Sequence, residues 1–137
     1  MVKTAAGMTT WLNLMAIAAG GAVGAVCRYL ITLAAASIPG GSSSAGTTVT
    51  NVLGCALIGG FVQAILLADQ TVSPRFILAI QVGFLGSLTT FSTFALDANG
   101  LASAGRWNSL TFYLLANVAL GWIVLVAAAA VVKGWVS

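Results

Sequence analysis

Four apolar runs, each of 20 residues or more, follow one another along the chain. The first extends from about Trp11 to Ala36 and stops at Ile38-Pro39-Gly40-Gly41-Ser42-Ser43-Ser44, a loop signal. The second runs from about Gly46 to Ala68 and ends at Asp69-Gln70-Thr71. Ser73-Pro74 then reads as a helix start, with proline in the first turn, and the third run continues from Arg75 to about Ser103. The fourth spans Asn108 to Val132, with Lys133 at its end. At 1.5 Å per residue, about 20 helical residues cross the ~30 Å hydrocarbon core. The pattern predicts an all-α membrane protein, one domain over residues 1–137 with four transmembrane helices. The first run continues past any plausible signal-peptide cleavage site into Arg28-Tyr29-Leu30, so the first span is expected to be retained.

Composition removes the soluble alternatives. Hydrophobic residues make up 60% of the chain and charged residues 5%, against about 25% in a water-soluble domain. Its natural environment is therefore the lipid bilayer. The net charge of +3 comes from Lys3, Arg28, Arg75, Arg106 and Lys133, scattered singly. Nucleic-acid binding needs clustered cations to displace counterions, so it is excluded. There is no histidine, and Asp69 and Asp97 are the only carboxylates. That is poor material for acid–base catalysis or a transition-metal site, and no enzyme is expected. Cys27 and Cys55 fall inside predicted spans and read as small apolar packing residues.

Four spans put both termini on one side. Lys3, Arg75 and Lys133 lie there, against Arg106 and Arg28 toward the other side. A bias of three to two gives the positive-inside rule little to act on, so mixed orientation is expected. Gly20 with Gly24, and Ala56 with Gly60, have the small-xxx-small spacing that lets helix backbones approach.

The third run contains the most unusual segment: Gly83-Phe84-Leu85-Gly86-Ser87-Leu88-Thr89-Thr90-Phe91-Ser92-Thr93-Phe94. Hydroxyls this dense do not suit a lipid-facing helix; they suit a cavity or a coordination site. Gly83, Gly86 and Thr89-Thr90 lower helix propensity, and a break here would free backbone groups near the midplane. Phe91 and Phe94, at i and i+3, face one way. They are either core or, through their electropositive ring edges and the Ser92 and Thr93 hydroxyls, part of a small-anion site. Asn51 in the second span is either interhelical glue or a donor to a ligand. Asn117 repeats the pattern in the fourth span, with Tyr113 one turn earlier on the same face. Arg28 either snorkels to the interface or attracts anions at a pore mouth. Asp97, one turn after Phe94, caps a broken helix, faces a vestibule or lies near the surface.

These segments resemble the Fluc (CrcB) family of fluoride channels over nearly the whole chain. Gly20-Gly21-Ala22-Val23-Gly24-Ala25-Val26-Cys27-Arg28-Tyr29 is similar to the family's GGxxGAxxRY. Gly46-Thr47, Asn51 and Gly54 are similar to its GTxxVNxxG, and the 83–94 segment to its GFxGGxTTFSTF. The resemblance implies an antiparallel, dual-topology homodimer with a broken third helix and two narrow fluoride pores in a prokaryotic-type inner membrane. It implies ring edges of Phe91 and Phe94 facing fluoride, an amide from Asn51, hydroxyls from Ser92 and Thr93, and a polar track at Tyr113 and Asn117. It also implies a structural sodium ion at the dimer axis, held by the backbone carbonyls of Gly86 and Thr89. The chain departs from the pattern at Thr50 (usually valine), Ser87 (usually glycine), Asp97 (commonly glutamate), and at Gly121 and Leu125 on the fourth-span face.

The expected function is passive fluoride export. Fluoride is strongly hydrated, and amides, hydroxyls and ring edges replace water without holding the ion by fixed charge. A small multidrug exporter would need a carboxylate in the first span, which has Arg28 instead. A non-transporting membrane subunit would explain the small residues but not the hydroxyls around Phe91. An intramembrane hydrolase built on Ser92 would lack histidine or a nearby lysine.

Overall fold

The computed structural model of the chain describes residues 2–68 and 72–136, all within helices and the short turns between them. Helix α1 is Val2–Ser37, with its membrane-length apolar part beginning at Thr10, and α2 is Ser43–Leu67. The third span, Pro74–Ser103, is two helices. Helix α3 occupies residues 74–88 and is π-helical over Leu78–Leu85; α4 is Phe91–Ser103. Helix α5 occupies residues 107–136, with a second π-helical stretch at Ala116–Leu120. Among the described residues four spans are long and apolar enough to cross a membrane, which makes this a multi-pass membrane protein. The expected end of the second span at Asp69-Gln70-Thr71 lies outside the described residues.

Local chemistry sets the boundaries. Helix α2 starts three residues earlier than its apolar run because Ser42 (φ −152°, ψ 161°) caps it, its hydroxyl accepting from the Ala45 N–H at 3.2 Å. Pro74 occupies the first turn of α3, as the Ser73-Pro74 signal predicts. Gly105, at φ 66°, makes the left-handed turn out of α4 that a side chain would resist.

Helix α1 packs along α3 and α2, and α2 packs along α5. The α1–α3 contact is backbone on backbone: a Cβ at Gly24 would collide with the Phe84 carbonyl, and one at Gly20 with the Ala79 carbonyl. On α2 the close approach is made by Gly59, where a Cβ would strike the Leu125 carbonyl. The expected partner position, Gly60, has ordinary clearance, with Val132 3.6 Å from a Cβ. Among the described residues the buried large apolar side chains are Leu85, Leu88, Phe94 and Tyr113, clustered around the α3–α4 junction. Most other large apolar side chains, such as Val23, Leu66 and Trp122, face outward, as lipid solvation allows. Trp11, Trp107 and Trp135, exposed near span ends, suit the headgroup interface. No buried side-chain N or O atom among the described residues lacks a hydrogen-bond partner, as a nonaqueous surround requires. Cys27 and Cys55 are free and half-buried, consistent with packing roles.

Candidate functional site: a clamped helix break

The third span breaks at Thr89 (φ −88°, ψ 159°) and Thr90 (φ −152°, ψ 124°), both extended. The neighbouring glycines stay helical or serve close packing: Gly86 has right-handed helical angles, and a Cβ at Gly83 would press on the α1 backbone. Two consecutive β-branched residues tolerate extended backbone better than helix. Each hydroxyl then stabilises one helix end. Thr89 Oγ1 donates to the Leu85 carbonyl at 3.0 Å, closing α3. Thr90 Oγ1 accepts from the Thr93 N–H at 3.3 Å, capping α4.

Asn51 of α2 holds the break open. Its Oδ1 accepts from the Thr90 N–H at 2.9 Å, and its Nδ2 donates to the Thr90 carbonyl at 3.2 Å. The backbone donor and acceptor of one residue thus fix the amide's orientation. The second Nδ2 hydrogen goes to Asn117 Oδ1 at 2.8 Å. Asn117 Nδ2 in turn donates to Thr48 Oγ1 at 3.0 Å and to the Tyr113 carbonyl at 2.9 Å. The Thr48 hydroxyl donates to the Ser44 carbonyl at 3.1 Å. This chain of bonds ties α2, the break and α5 together.

The break also deprives the carbonyls of residues 86 to 89 of their α-helical N–H partners. The N–H that would close an α-turn on the Gly86 carbonyl belongs to Thr90 and is held by Asn51. The one that would close on the Thr89 carbonyl belongs to Thr93 and is held by Thr90 Oγ1. Gly86 and Thr89 both line the same cavity. Among the described residues there is no group of three His, Cys, Asp or Glu side chains that would hold a metal.

That cavity has a volume of about 330 Å³ and is lined by the polar side chains of Asn51, Gln81, Thr89, Thr90 and Asn117, by Phe91 and Phe94, and by apolar neighbours from α2, α3 and α5. No charged side chain is among its lining residues. Phe91 is 80% exposed, while Phe94 is 9% exposed. Their centroids lie 5.7 Å apart at 49°. Phe94 stacks on Tyr113, 5.4 Å away.

Tyr113 leads to a second cluster. Its hydroxyl donates to Asp97 Oδ2 at 3.0 Å, and Thr47 Oγ1 donates to the same oxygen at 2.9 Å. The structure gives Asp97 a role that none of its three expected placements describes: a half-buried shared acceptor joining α2, α4 and α5. Ser92 and Thr93 lie beside the break, their hydroxyls 3.3 and 3.1 Å from Thr90 Oγ1, outside the cavity's lining. Arg28 is half-buried on α1 and does not line the cavity. Thr47 and Thr48 were not among the expected site residues, although they sit one turn before Asn51 on its face, the spacing that would have found them. Thr90 was expected only as a weak helix former. Ser87 faces α1, its Oγ 3.2 Å from where a Cβ on Gly21 would sit.

The arrangement presents amide and hydroxyl groups, ring edges and freed carbonyls at mid-span, without fixed charge. Residues 15–129 match the family model described as CrcB-like protein, Camphor Resistance (CrcB). The chain belongs to the CrcB family. Its relatives agree. A Rhodopirellula baltica protein named Fluoride-specific ion channel FluC is 44% identical over 146 residues, covering 95% of this chain and all of the relative. Proteins of the same name from Shewanella baltica and Rhizobium johnstonii are 41% and 38% identical, covering 79% and 85% of this chain and 86% and 93% of theirs. The CrcB match takes in the break, Asn51, Asn117 and Asp97 together.

Proposed function

We infer that this CrcB protein is a fluoride-selective passive channel, not an enzyme. It lets fluoride leave the cell down its electrochemical gradient and so prevents its accumulation. The observation that carries this is the 44% identity, over 95% of the chain, to a protein named Fluoride-specific ion channel FluC. The chemistry supports it: the cavity offers donors with no fixed charge, so an anion is solvated on entry and not trapped. Acid carries fluoride inward as neutral HF, and the channel returns the anion. Asn51, Phe91, Ser92, Thr93, Phe94, Tyr113 and Asn117 line or border its path, and Arg28 and Asp97 act at its mouth or in its support.

We further propose that the chain works in the prokaryotic inner membrane as an antiparallel homodimer around one sodium ion. The Gly86 and Thr89 carbonyls fit such an ion, because both have lost their helical N–H partners. Two neutral oxygens from each of two copies make a hard, uncharged cage, better suited to a monovalent cation than to Ca²⁺, which takes 6–8 oxygens. When bound, the ion would join the subunits and add positive potential near the anion path.

Liposome fluoride efflux tests the transport itself, and a charge-bias experiment tests the assembly. Adding two lysines to one terminus should force one orientation and reduce fluoride flux to background, with rescue by an oppositely biased copy. Full flux from a strictly one-way population would rule out the antiparallel dimer and its shared cation.

A further inference from the structure

The two hydrogens of the Asn51 amide are not held equally. One goes to the Thr90 carbonyl, and that bond is paired with the return bond from the Thr90 N–H to Asn51 Oδ1. Opening this two-point clamp would undo the helix break. The other goes to a single acceptor, Asn117 Oδ1, at 2.8 Å. Both side chains line the 330 Å³ cavity, so an ion there meets this bond directly. Asn117 lies in the π-helical stretch Ala116–Leu120, a departure from α geometry often found at functional sites.

We propose that Asn117 sets the channel's apparent affinity by acting as an internal competitor for the anion. Its side-chain oxygen occupies the one Asn51 hydrogen that an ion can take without opening the break, and the ion binds Asn51 by displacing it. This rests on the channel reading above. Fluoride is a far stronger hydrogen-bond acceptor than an amide carbonyl, since charge-assisted bonds are shorter and roughly twice as strong as neutral ones. Chloride is larger, with more diffuse charge, and accepts more weakly. The resident oxygen therefore yields to fluoride, at a displacement cost that any anion meets alike, so it sets affinity and not the ratio between anions. Displacement turns the planar Asn117 amide and keeps at most one of its Nδ2 bonds, to Thr48 Oγ1 or the Tyr113 carbonyl; remaking the other draws the side chain back as the ion leaves.

Asn117→Leu keeps the volume and removes the competing oxygen. It frees the Asn51 hydrogen and leaves the other two partners satisfied: the Thr48 hydroxyl still donates to the Ser44 carbonyl, and the Tyr113 carbonyl still accepts from the Ala116 N–H. In liposomes holding the purified full chain, fluoride and chloride flux are measured against concentration. The half-saturating fluoride concentration should fall about fivefold in Asn117→Leu, the factor one neutral hydrogen bond contributes, while chloride flux relative to fluoride stays the same, because every anion must displace the same oxygen. A merely structural defect would lower maximal flux and leave half-saturation in place. Should Asn117→Leu fail to purify, Thr48→Val loosens the tether while keeping the competitor, and half-saturation should shift in the same direction by a smaller factor. Unchanged half-saturation in the folded variant, beside normal fluoride flux in the parent chain, would overturn the competitor role alone. No fluoride flux in the parent chain would overturn the channel reading and this inference with it.

Discussion

Fluoride flux is expected to fall to background in Asn51→Asp. The carboxylate keeps the shape of the amide and can still accept from the Thr90 N–H, but it has no hydrogen to give. It would face the Thr90 carbonyl at 3.2 Å and Asn117 Oδ1 at 2.8 Å, both acceptors, and it would repel an arriving anion. A hydrogen bond to a charged partner contributes about 1.5–3 kcal/mol, so its loss alone costs roughly ten- to hundredfold, before repulsion is added. Efflux from liposomes, with size-exclusion chromatography of the same sample to confirm the folded assembly, measures this. Normal flux in a folded Asn51→Asp channel would remove Asn51 from the anion path.

Phe91→Ile and Phe94→Ile should both reduce flux, but only one should reduce stability. Isoleucine keeps apolar bulk and loses the electropositive ring edge. On the scale of ring interactions, about 0.5–1.5 kcal/mol, each substitution should slow fluoride roughly two- to tenfold. Phe94 also stacks on Tyr113 and is nearly buried, so its loss should lower the melting temperature as well. Phe91 is 80% exposed and projects into the cavity, so Phe91→Ile should leave the melting temperature unchanged. That makes Phe91 the cleaner test: unchanged flux there means the ring only fills space.

The four spans could be read from the apolar runs because bilayer thickness sets helix length directly. The break in the third span was legible to within residues 83–90, from glycines and paired threonines, but which of them carry it was not. Thr89 and Thr90 carry it because Asn51, 39 positions away, supplies the bonds that the helix gives up. A long-range partner leaves no local trace. The same holds for Asp97, whose role as a shared acceptor was outside its three expected placements because Thr47 and Tyr113 arrive from other helices. Gly59 was missed in favour of Gly60 because a one-residue shift around a helix depends on the partner's orientation, not on spacing. Thr50 was legible as an extra hydroxyl but not as a harmless one. It is fully buried and donates back to the Gly46 and Thr47 carbonyls of its own helix, at 3.1 and 3.0 Å.

The central claim is that this chain alone conducts fluoride, and purified protein in liposomes tests it most directly. Vesicles loaded with potassium fluoride, holding only this chain, are opened to potassium by an ionophore while an electrode follows external fluoride. The account predicts rapid, near-complete fluoride release, with chloride release close to that of protein-free vesicles in the matched experiment. Fluoride release no faster than from protein-free vesicles, by a chain that elutes as a folded assembly, would contradict it.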